Sequence, residues 1–197
     1  MYDKYVTAPS KMYYHNENKT WAYEGVINRL IKDAVIDRLM QASIPFIDVC
    51  PTEMDLPLDL RVKLVNDICE EYGRDKCLLI SLHCNAGKGT GFEIWTSPGE
   101  TKSDLYATEF SRLYERKFPE QKFRKDMSDG DVDKESAFYI LRNSACPAIL
   151  PEWLFFDNFD DWQIKSSMFE QEKYADMILD FLRIVSLESW QPWEEAV

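Results

Sequence analysis

The sequence predicts an α/β fold: a layered single domain with a mostly parallel sheet. Amphipathic segments with apolar residues at 3.6-residue spacing alternate with short apolar runs bounded by turn residues. The chain has 197 residues, about one domain's worth, and can bury a core without disulfide or metal staples. Hydrophobic residues at 45% and aromatics at 14% supply that core.

In chain order, Val6 to Tyr14 is a candidate N-terminal strand region. Glu24 to Gln41 follows as a helix, with Ile27, Leu30, Ile31, Ala34, Val35 and Leu39 as its apolar stripe. Ile44 to Val49 reads as a strand. Leu58 to Tyr72 is a second amphipathic helix, stopped by Gly73. Cys77 to Leu82 and Gly91 to Thr96 read as buried strands. Lys102 to Phe118 is a helix with Tyr106, Phe110, Leu113 and Tyr114 on one face, and Glu135 to Asn143 is a shorter one. Pro147 to Leu150 is the last expected strand, and Glu170 to Val185 the last helix. The expected domain spans 1–186. Residues 187–197 form a short tail whose Trp190-Gln191-Pro192-Trp193 is expected to strap onto the surface.

Charge and punctuation exclude several function classes. With 23 Lys and Arg against 35 Asp and Glu, the net charge of −12 argues against nonspecific binding to nucleic acid or an anionic membrane surface. No apolar run approaches the ~20 residues of a transmembrane helix. The cluster Gly87-Lys88-Gly89-Thr90-Gly91 lacks the spacing of a phosphate-binding loop and reads as a turn. The 5 cysteines are odd in number and contain no CxxC pair, so reduced thiols are expected. Asp126 to Asp133 is rich in aspartate. Taken as a calcium loop from Asp129, however, it puts Lys134 and Ile140 where glycine and glutamate belong, so a solvated acidic loop is expected.

Chemistry concentrates at strand ends, where α/β sheets place their ligands. The apolar run Cys77 to Leu82 leads into His83-Cys84-Asn85-Ala86-Gly87, and the only other histidine is His15. Two imidazoles and one carboxylate would make a three-ligand zinc site with an open fourth position. Glu17 and Glu24 are the nearby carboxylates, and Glu24 is favoured because a packed helix fixes it. Glu152 ends the apolar run Pro147 to Pro151, where an unpaired charge is costly unless it is functional. An amide-cleaving zinc site needs such an unligated carboxylate as base and then acid. Each residue alone has a plainer role: a structural histidine, a helix N-terminal glutamate, a partner for a buried arginine.

Together these residues resemble the zinc-dependent N-acetylmuramoyl-L-alanine amidases of the amidase-3 type, which include autolysins and phage endolysins. Ser81-Leu82-His83-Cys84-Asn85-Ala86 is similar to the family's Ser-x-His-x-Asn-Ala block. Glu24 to Asn28 resembles its ligand glutamate and following helix, and Gly91 to Ser97 the strand after the second histidine. Leu150 to Asn158 resembles the Glu-x-Gly-Phe-x-x-Asn block, with Leu154 where the family has glycine. The resemblance runs in order from about Tyr5 to Val185.

It implies zinc held by His15, Glu24 and His83, with Glu152 as general base, cleaving the amide between N-acetylmuramic acid and L-alanine. It implies a single α/β domain with a central mixed sheet flanked by helices, and a peptidoglycan substrate. A monomer is expected, and the charge and hydropathy leave neither nucleic acid nor membrane as an expected partner. Met1-Tyr2-Asp3-Lys4-Tyr5 lacks a signal-peptide layout, so synthesis in a bacterial cytoplasm and action on the wall after release, as for an endolysin, are expected. The alternatives are another zinc amidohydrolase or peptidase acting on stem peptides, and a non-catalytic wall-binding relative.

Overall fold

The computed structural model describes residues 11–187; the expected strand at Val6 and the Trp190–Trp193 strap lie outside them. The described part opens on a hairpin, β1 (Met12–His15) and β2 (Thr20–Tyr23), paired antiparallel with Tyr14 opposite Trp21. Alternation puts Met12, Tyr14, Trp21 and Tyr23 on one face and Tyr13, His15 and Ala22 on the other. His15 and Ala22 are buried, whereas Trp21 is 47% exposed.

Helix α1 (Glu24–Ala42) starts directly from β2, and Ile27, Ile31, Val35 and Leu39 line its buried face. Ser43 ends it in the left-handed region at φ 56. The segment from Ile44 to Val49, expected as a strand, pairs with nothing in the sheet. Its Ile44 N–H bonds back to Leu39, Phe46 and Ile47 stay exposed, and Asp48 is tied to Lys32 of α1 at 2.7 Å. Apolar content marks the segment, but among the described residues it has no ladder beside it and runs as an extended connection.

Next come α2 (Leu58–Tyr72), a 3-10 turn at Arg74–Lys76, β3 (Leu79–Ile80), β4 (His83–Asn85) and β5 (Glu93–Thr96). Helix α3 (Lys102–Lys117) begins with a capping box between Thr101 and Asp104. Then follow β6 (Lys134–Glu135), α4 (Tyr139–Asn143), β7 (Ala148–Phe155), α5 (Phe159–Ser166) and α6 (Met168–Val185).

Strand β7 is the centre of the sheet. On one side β3 and then β4 run parallel to it; on the other β5 runs antiparallel, with β6 parallel to β5. The sheet is therefore mixed and mostly parallel, as expected. Helices cover both faces. Ala148 and Leu150 pack with Val62 of α2 and with Ile140 and Leu141 of α4. Ile149 and Trp153 join Ile31, Phe110, Tyr174 and Phe181 in the larger core. Trp153 is fully buried and stacks on Tyr174 at 4.5 Å.

The expected strand at Pro147–Leu150 extends through Pro151 and Glu152 to Phe155. A proline and a carboxylate are poor strand signals, yet pairing on both sides carries β7 past them. Helix α5 was not expected at all. Its Asp161 is buried and accepts from Phe155 N–H (2.8 Å), Gly91 N–H (3.0 Å) and the Thr90 hydroxyl (2.7 Å). Gly91 is at φ +104, and a Cβ there would lie 2.3 Å from the Lys122 carbonyl oxygen. Asp161 thus bolts the loop before β5 to the end of β7. Asp161→Ala strands two buried N–H groups, so unfolding free energy from urea titration should fall by about 2–4 kcal/mol.

Candidate active site

The sheet register builds a row of three side chains. Glu152 on β7 stands opposite His83 on β4 and opposite Glu93 on β5. Glu152 has the same strand parity as Ala148 and Leu150 but lies beyond them, toward the carboxyl end of β7. Helix α1 supplies the next member. Glu24, its first residue, is 3% exposed, and its Oε1 accepts from His83 Nδ1 at 3.0 Å. His83 Nε2 meets the Ser81 hydroxyl at 3.1 Å, so both ring nitrogens are oriented. Asn28, one turn along α1, donates to Glu24 Oε1 and accepts from the Cys84 thiol.

Electrostatics separate the two carboxylates. Burial alone would push Glu24 up, but His83 and Lys11, whose ammonium lies 2.8 Å from Glu24 Oε2, outweigh it and hold the carboxyl down at about 2. Glu152 goes the other way. Burial dominates and the Glu24 charge adds to it, so despite His83, Lys11 and Lys165 its carboxyl is held up at about 7. Its Oε2 is buried and has no hydrogen-bond donor. A carboxyl poised near neutrality beside an ionised one has the protonation behaviour of a general base and acid.

Glu93, at the far end of the row, is a fixed anion. It binds Asn85 at 2.7 Å, Arg124 at 2.5 Å and Lys134 at 2.9 Å, and despite burial these partners hold its carboxyl below the usual range. It orients Asn85, two residues after His83. Its sequence signal is a lone acid between the apolar Phe92 and Ile94. Ser81 is marked by its place in the Ser-x-His-x-Asn-Ala block, whereas Lys11 carries no sequence signal.

Of the expected site residues, the structure brings Glu24, His83 and Glu152 to one place. His15 is elsewhere. Its ring is 1% exposed, Nε2 donates to the Phe156 carbonyl at 2.9 Å, and Trp162 stacks on it at 5.6 Å. His15, Glu24 and His83 therefore do not present donor atoms within 4.8 Å of one another. In this geometry His15 is a strut between the hairpin, the end of β7 and α5. Glu17 lies exposed in the hairpin turn between β1 and β2. The Cys84 side chain is buried on α1, and its thiol, pushed up to about 12 by burial, faces Asn28. All 5 cysteines are free. Thiol titration of denatured, unreduced protein should count five; three or fewer would reveal a bridge.

The sequence matches the amidase-3 family model, N-acetylmuramoyl-L-alanine amidase, over residues 14–183. The chain belongs to this family. Among relatives of the amidase family, CwlM of Bacillus licheniformis, an N-acetylmuramoyl-L-alanine amidase, is 37% identical over 99 residues, covering 47% of this chain and 34% of CwlM. The match thus spans about a third of that relative's length. An N-acetylmuramoyl-L-alanine amidase from Clostridium difficile 630 superposes with a TM-score of 0.71 at 23% identity, over 90% of each chain. The catalytic domain of the amidase CwlV from Bacillus (Paenibacillus) polymyxa var. colistinus gives 0.67 at 20% identity, over 81% of this chain and 83% of that one. These amidase folds share the single α/β domain and mixed sheet described above.

Proposed function

We propose that the chain hydrolyses peptidoglycan at the amide between N-acetylmuramic acid and L-alanine, with zinc held by Glu24 and His83 and with Glu152 as general base. The supporting observation is the buried, donorless Oε2 of Glu152 beside the Glu24–His83 pair. That pair fits zinc in chemistry and spacing: an imidazole nitrogen and a carboxylate oxygen, 3.0 Å apart, close to the ligand separation around a tetrahedral ion. The Lys11 ammonium on Glu24 Oε2 marks the same spot as one that favours a cation. His15 would join only by giving up the Phe156 carbonyl, and it receives no ligand role here.

When bound, zinc supplies Lewis acidity to the scissile carbonyl and to the attacking water. The chain's own residues handle the proton. Glu152 takes it from the water at Oε2, the carbonyl carbon gains the hydroxyl, and the C–N bond breaks. Glu152 then returns the proton to the departing amine of L-alanine. Ser81 and Asn28 keep His83 and Glu24 in register through each turnover. Digestion of purified peptidoglycan followed by mass spectrometry tests the reading. New N-terminal L-alanine on intact stem peptides supports it. Cleavage within the stem would make the chain a peptidase, and wall binding without released products would make it a non-catalytic relative.

A further inference from the structure

We infer that Asp104, Asp131 and Asp133 form a separate site for a hard divalent cation of the calcium type, which fastens the acidic loop to the sheet edge. The three carboxylates offer oxygens within 4.8 Å of one another, the one such group among the described residues. They come from different parts of the chain. Asp104 is in the first turn of α3, while Asp131 and Asp133 immediately precede β6.

Proximity alone would mean little, since acidic loops are common. What points to a ligand is the state of the oxygens. Asp133 is 1% exposed; its Oδ2 accepts from the Thr96 hydroxyl at 2.6 Å, and its Oδ1 is buried without any donor. Asp131 Oδ1 is likewise buried and donorless. Among the described residues no lysine or arginine pairs with any of the three; Lys134, the next residue, is committed to Glu93 at 2.9 Å. Asp104 already accepts from the Thr101 N–H and hydroxyl as the partner in the α3 capping box, so the unmet need lies in Asp131 and Asp133, whose two buried, donorless oxygens are costly side by side. The remaining remedies are a cation or a shared proton. Burial first, then repulsion from Asp131 and Asp104, hold the Asp133 carboxyl up at about 8 against the Thr96 bond. A proton is therefore the competitor the cation must displace.

The donor set decides the class of ion. All-oxygen carboxylate ligands favour calcium or magnesium, whereas zinc prefers nitrogen and sulfur. Irregular geometry built from a loop and a helix turn suits calcium, which tolerates it, better than magnesium. The expectation of a solvated acidic loop is thereby corrected at its last residue: Asp133 is in the interior. A cation here would fix Lys134 opposite Trp95 and so steady the Lys134–Glu93 pair at the end of the active-site row.

The site stands independently of the proposed amidase chemistry, and so does its test. Full-length protein is stripped with chelator, dialysed and melted in increasing calcium chloride. At a hundredfold excess over Kd the melting temperature should rise by about 5–10 °C. Terbium should bind at one per chain, with luminescence sensitised through Trp95, which pairs with Lys134. Asp131→Asn should lose both responses, and His83→Ala should keep both. No melting shift at ~10 mM calcium, above the range of the weakest extracellular sites, overturns the inference. An undiminished shift in Asp131→Asn overturns it as well. Should that variant fail to fold, the wild-type titration decides alone. An Asp133→Asn protein at least as stable as calcium-treated wild type would mean a shared proton instead.

Discussion

Glu152→Gln should cost at least the ~10²–10⁴-fold that general acid–base catalysis supplies, while the protein keeps its fold and its metal. Glutamine matches the volume and leaves the packing of Leu150 and Trp153 intact, but it cannot take a proton from water. The same substitution should stabilise the metal-free protein, in a pH-dependent way. The folded carboxyl titrates near 7 against 4.5 for an ordinary glutamate. Below about pH 4.5 both states are neutral at this position, so wild type and variant should be equally stable. As pH rises from there the unfolded chain ionises first, and wild type loses stability until the folded carboxyl has titrated as well, above about 7. At pH 8 the variant should therefore be more stable, by at most about 3 kcal/mol. Denaturant melts at pH 4.5 and pH 8 would measure it. An equal ΔΔG at both would mean that the Glu152 charge is not buried, and full activity would remove it from the mechanism.

His83→Ala should reduce zinc from one per chain to near none and activity to background. Glu24→Ala should do the same, each losing more than the ~10–100-fold in affinity that an outer-shell partner typically contributes. His15→Gln is the informative contrast. Glutamine can still donate to the Phe156 carbonyl, so the strut is retained and zinc should stay bound. Metal analysis of the purified variants ranks them. Zinc lost from His15→Gln but kept in His83→Ala would reverse the ligand assignment.

Much of the fold was legible because its elements announce themselves locally. Leu58–Tyr72 has an apolar stripe and a terminal glycine, and the helix has those same bounds. What was not legible depends on distant partners. Ile44–Val49 has strand composition but pairs with no strand among the described residues. Pro151 and Glu152 lack it, yet they continue a strand because β4 and β5 flank them. Helix α5 is short, and its Asp161 is explained only by N–H groups from Gly91 and Phe155. At the site, Glu24, His83 and Glu152 were readable as chemistry at element ends. His15 was readable only as the other histidine, and its bond to Phe156 spans 141 residues of sequence, which no local pattern encodes.

The central position of β7 also sets the order in which the molecule can assemble. β3 and β4 pair only with β7 among the described strands, and β5 has just the short β6 besides it. Until the ribosome has passed Phe155, those strands have open edges, and His83 has no Glu152 opposite it. Such long-range closure is slow and leaves apolar strands unpaired meanwhile, which makes nascent chains candidates for chaperone capture. Because Glu152 arrives on the strand that closes the sheet, a chain that stops before β7 lacks the residue proposed as general base and the neighbour that would hold β4 beside it.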